Sequence, residues 1–229
     1  MKKTSALLGA LMAGILLTST APVMAFGLGN LAAAIPGVGG GTSGAAVSAG
    51  DIDAFIQTAQ EADQMIGTSS RHIFKAVASK QDIAEQEARL ATANAIADPA
   101  EKAAAINKIR DDEATALQKS LASQEVQDKL KTMNQAQLAS FGNAAFTFML
   151  GVLKDKQLAE GSTALVSGVT SNPTLLPRLG ALKDVVTSVG AQAVSTAKIG
   201  EGLLKLAKSG KIAALPASAS EKPKKVDDI

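Results

Sequence analysis

His72 is the one histidine in a chain of 229 residues that has no cysteine. A single imidazole without thiols excludes multi-histidine and thiolate metal sites, cysteine nucleophiles and disulfides. Acid–base catalysis through His72 would need a nucleophile and an orienting carboxylate, and nothing in the sequence selects either. A structural histidine beside Arg71 is therefore expected, and a hydrolase working through His72 is the minority alternative. The carboxylate pairs Glu61/Asp63 and Glu85/Glu87 are spaced i, i+2, so on a helix they point to different sides and cannot clamp one substrate atom. The run Asp111-Asp112-Glu113 could hold a cation, but three consecutive helical residues diverge, and a solvated helix face is expected. The glycines from Gly39 to Gly44 match GxGxxG in form. A Pro36-Gly37 turn precedes them and linker residues follow, where a dinucleotide site needs a strand and then a helix. The nucleophile-elbow, phosphate-loop, zincin and EF-hand patterns are all lacking. The expectation is a non-enzymatic chain with no catalytic residues, no cofactor and no metal.

The elements that remain are helical. Hydrophobic residues make up 46%, alanine prominent among them, while aromatics are 3% and tryptophan and tyrosine are absent. Such a composition favours helix over sheet. The formal charge of +2 conceals an asymmetry: residues 51–130 carry 14 acidic and 9 basic side chains, and residues 131–229 carry 7 and 12. The halves, at −5 and +5, attract one another and favour folding or self-association. A basic half without aromatic stacking residues gives no support to a nucleic-acid partner.

The stretch from Met133 to Gln157 stands at the centre. It holds three of the six phenylalanines, and no charge falls between Lys131 and Lys154. Asn134 suits an N-cap with Gln137 as its capping-box partner. Leu138, Phe141, Ala145, Phe148 and Val152 form one stripe, and Phe146, Met149 and Leu153 a second. A helix so broadly apolar must be enclosed by protein or by lipid. The run from Thr132 to Leu153 is long enough to span a bilayer core, but Asn134, Gln135, Gln137, Ser140, Asn143 and Thr147 load it with polar groups and favour the core of a bundle.

Residues 1–25 read as a secretory signal: Lys2 and Lys3, an apolar run from Ala6 to Leu17, and cleavage after Ala25. A bacterial periplasmic or secreted protein follows. Residues 26–50, rich in glycine, alanine and serine, read as a flexible leader. Helices are expected from Asp51 to about Lys80, with a weak point at Gly67–Ser70, and from Gln81 to Ala97. A third begins at Asp98-Pro99-Ala100-Glu101, with the aspartate as N-cap and proline in the first turn. Breaks are expected near Ser123 or Asn134 and at Asn172-Pro173, and a last helix from Leu175 to about Ser209. Lys154–Glu160 is expected as a short charged turn of helix, and 212–229 as a disordered tail.

The predicted fold is all-α: a single-domain antiparallel helical bundle of about five helices over residues 51–211. The predicted function is an exported binding or accessory protein that holds a protein partner or an apolar ligand beside the central helix, with Phe141, Phe148, Met149 and Val152 as candidate contacts. The alternative is a membrane-active protein that inserts a helical hairpin formed by 132–177, with lipid as its partner.

Overall fold

The computed structural model describes residues 47–226; the expected signal segment, the glycine run and all but the end of the expected leader lie outside them. The described residues are all-helical, with six α-helices and no strand: α1 (Ala49–Val77), α2 (Lys80–Asn94), α3 (Pro99–Leu121), α4 (Gln124–Thr132), α5 (Gln135–Thr170) and α6 (Leu179–Lys208). A 3₁₀ turn, Leu176–Arg178, leads into α6.

Short-range chemistry sets most of the boundaries. Ser48, Ser79 and Asn134 each accept from the backbone N–H three residues on, and Asp51, Asp82 and Gln137 answer at the cap backbone, giving three capping boxes. Asp98 Oδ1 accepts from the Ala100 and Glu101 amides at 2.9 and 2.8 Å, with Pro99 behind it. Ser123 caps α4 through the Val126 amide, so the expected single break becomes two, at Ser123 and at Asn134, and six helices stand where about five were expected. The glycine–serine weak point does not break α1, which runs through it. Gly210, at φ 71°, ends α6: the Lys211 amide reaches back to the Leu206 carbonyl at 3.0 Å.

The largest helix–helix contact is between α1 and α5, followed by α5 with α6. Val47 lies on Gly168, and Ile66 lies on Gly151. At Gly151 an added Cβ would stand 2.7 Å from Ile66 Cγ1 and 3.0 Å from the Ala62 carbonyl oxygen, so glycine is what lets the two backbones approach there.

Two apolar clusters flank a polar layer. One holds Ile52, Phe55 and Ala59 of α1, Leu158, Leu165 and Val169 of α5, and Leu182 and Val189 of α6. The other holds Ile66, Ile73, Leu117, Phe141, Phe148, Ile199 and Leu203. Glu61 and Asp63 of α1, Lys154 and Asp155 of α5, and Gln192 of α6 fall between them in sequence on their helices and are linked across the chain.

Two expectations are corrected. Lys154–Glu160 is no separate turn: α5 passes through it unbroken for 36 residues, with Lys154 and Asp155 buried. Local charge suggested a separate turn, but Lys154 Nζ is met by Glu61 Oε2, 93 residues away, at 3.4 Å. The expected disordered tail is also laid against α5 as far as Val226. Ile212 is buried, Leu215 and Val226 pack on the larger cluster, and Asn143 and Thr147 hydrogen-bond the tail's backbone. Composition alone suggested a solvated tail, because its anchors are few and their partners lie about eighty residues back.

Candidate functional site

A cleft of about 310 Å³ opens beside the polar layer, between α1, α3 and α6. Its apolar lining includes Ile66, Phe148 and Ile199, and its rim includes Asp63, Arg71, Arg110 and Gln192. Each helix delivers its residues by simple periodicity. On α1, Asp63, Ile66, Gly67 and Ser70 are three and four apart, as are Asn107, Arg110 and Ala114 on α3 and Ser188, Gln192 and Ser195 on α6.

Electrostatics tie the rim together. The Asp63 carboxylate accepts from Arg110 Nη1 at 3.3 Å and from Gln192 Nε2 at 3.3 Å, joining α1, α3 and α6 through one side chain. Glu113 stands in the wall, only 8% exposed. It accepts from Ser70 Oγ at 3.1 Å and from Gln86 Nε2 of α2, itself buried. Burial pushes its carboxyl above the ordinary range, opposed by the Ser70 and Gln86 hydrogen bonds and by Arg71 and Arg110. A second opening, lined by Gln86, Arg89 and Asp112, lies on the other side of Glu113.

The acidic run thus divides three ways. Asp111 lines the cleft, Asp112 pairs with Arg89 at the surface, and Glu113 turns inward. The side chains diverge as helical geometry requires, but the third is no part of a solvated face. Its signal in the sequence is faint: Ile109, Glu113 and Leu117 lie on one stripe of α3.

Asp155 is the most unusual group in the layer. It is 0% exposed, and neither carboxylate oxygen has a hydrogen-bond partner. Burial, with a smaller push from the Asp63 charge, raises its pKa to about 7. Its neighbour Lys154 is 3% exposed and ion-paired with the half-exposed Glu61.

Of the four residues expected to contact a ligand, Phe148 lines the cleft. Phe141 is fully buried in the larger cluster, the Met149 sulfur lies against Gly200 of α6, and Val152 is half-buried at the cluster's edge. His72 is half-buried and stands outside the cleft lining, whereas Arg71 is in it. Among the described residues no group of three or more histidine, aspartate or glutamate side chains is placed to hold a metal ion.

No protein-family model, no curated protein and no solved structure matches this chain.

Proposed function

We propose that the chain is a non-enzymatic binding or accessory protein of the bacterial periplasm, exported by its N-terminal signal and built as a single-domain antiparallel helical bundle. The contacts of Val47 with Gly168 and of Ile66 with Gly151 support the antiparallel pairing of α1 and α5. The observation that carries the binding reading is the cleft: an apolar floor at Phe148 and Ile199 beneath a rim with both signs of charge, Asp63 and Arg110 among them. Apolar clefts with a few convergent polar groups are where small ligands bind. This one suits a compact molecule with an apolar body and an anionic end, which Arg71 and Arg110 would meet. A protein partner or a second copy could present such a group at a chain end.

The probe is anilinonaphthalene sulfonate, an aromatic body carrying one sulfonate. It should bind the folded chain saturably, at one site per chain, and at least tenfold more weakly after A191W, which fills the cleft from α6. Absence of saturable binding, or binding indifferent to A191W, would refute the assignment.

One observation favours the membrane-active alternative: α5 is long and apolar enough to cross a bilayer. Against it, 61% of its most apolar window is buried among other residues, as in the core helix of a bundle. In this form α5 is continuous through 154–160, so on that reading the hairpin would form only on insertion.

A further inference from the structure

We propose that residues 212–226 form a removable strap, seated in a groove on α5 that is built to take a non-helical lysine-bearing chain, and that the same segment of a second copy replaces it in trans.

The groove reads backbone. Thr147 Oγ1 donates to the Lys224 carbonyl at 3.1 Å and also accepts the Lys224 amide at 3.1 Å. One turn earlier on α5, Asn143 Nδ2 donates to the Lys225 carbonyl at 3.0 Å. Residues 143 and 147 are i, i+4 and share a face, so two uncharged polar side chains present a short ladder to the tail's backbone. Phe146 lies alongside, and the Lys224 ammonium stands 4.1 Å from its ring centroid. A cation over an aromatic face is attracted by the ring quadrupole, so this position selects lysine or arginine. Ile212, Leu215 and Val226 anchor the strap in the larger apolar cluster, and Gly142 lies beside Ala213. The pattern recognised is therefore apolar residues, a turn at 218–221, then Lys-Lys and an apolar residue on a non-helical segment. Polar residues in the otherwise apolar α5 thereby acquire a use, since Asn143 and Thr147 are the side chains that hold the strap.

The attachment has the character of a latch. The strap contains no helix, and its internal ties are local, from the Ala217 and Ser218 amides to Glu221. It joins α6 through the left-handed turn at Gly210, a single point about which it can swing. A second copy offers the groove an identical segment. The cis strap wins at low concentration because its tether gives it a high effective concentration, so exchange between copies becomes visible as the chain concentration rises.

The test uses the full chain and a labelled peptide of residues 212–226. Lys224→Pro removes both the amide that Thr147 accepts and the ammonium over Phe146. The peptide should bind the K224P chain at least tenfold more tightly than the unaltered chain, since apparent affinity scales with the fraction of open grooves. Adding Thr147→Val should abolish that gain, and the unaltered chain should show a concentration-dependent dimer by sedimentation. Equal peptide binding by the unaltered and K224P chains, or binding insensitive to T147V, would overturn the groove. Peptide binding without any dimer at high concentration would overturn the exchange between copies. If K224P loses its helical far-ultraviolet signal, V226S, which leaves the backbone ladder intact, serves for the same comparison.

Discussion

Phe148→Ala should lower the unfolding free energy by about 3–5 kcal/mol, the range for deleting a fully buried aromatic side chain. Phe148 is 0% exposed and belongs to the larger apolar cluster with Ile66, Leu117, Phe141 and Ile199. It also floors the cleft, so the space it vacates would be continuous with an opening that water can enter. The neighbouring helices cannot close over it easily, because α1 already touches α5 backbone-close at Gly151. Against a total stability of roughly 5–15 kcal/mol for a domain, such a loss brings the chain near its threshold. Urea unfolding is the measurement: the midpoint should fall while the slope is retained. A change below about 1 kcal/mol would mean that Phe148 is not a core residue.

Stability should fall as pH rises from about 4 to about 7, and Asp155→Asn should abolish much of that slope. The unfolded carboxyl releases its proton near the ordinary aspartate value of 3.8, while the folded one keeps it to about 7. In that window the native state binds the extra proton, so raising the pH favours unfolding. The full shift corresponds to roughly 4 kcal/mol as an upper figure. The charges around it do not cancel the effect: Lys154 Nζ is turned to Glu61, and Asp63 adds repulsion although Arg110 and Gln192 hold it. Glu113, also raised, contributes in the same direction, so the informative quantity is the difference between variant and parent. That difference should grow in favour of D155N by roughly 2–4 kcal/mol between pH 4 and pH 8. A difference independent of pH would show that Asp155 is solvated and ionised in the native protein.

What the sequence made legible was local. Asn134 with Gln137, and Asp98 with Pro99, are caps whose partners lie within four residues, and they were read correctly. Ser79 with Asp82 follows the same rule and was overlooked, so α2 was placed one residue late. The all-α class followed from composition and from apolar spacing. The parts that were misread depend on distant partners. Lys154–Glu160 was read as a separate charged turn because the carboxylate that meets Lys154 is on α1, and Glu113 looked solvated because Ser70 and Gln86 are 43 and 27 residues away. The tail looked disordered because Thr147 and Asn143 were counted only as polar burdens on α5. The cleft was legible in one residue, Phe148. Its rim is assembled from three helices, and no pattern within any one of them announces it.

α5 is enclosed by its own chain: α1 and α6 pack along it, and the strap covers the face of Asn143, Phe146 and Thr147. Vesicle flotation of the chain from Phe26 to Ile229, followed by alkaline extraction of any bound fraction, tests this most directly. The chain should remain in the soluble fraction. Flotation with vesicles and resistance to extraction would contradict the claim and place the uncharged run from Thr132 to Leu153 in lipid.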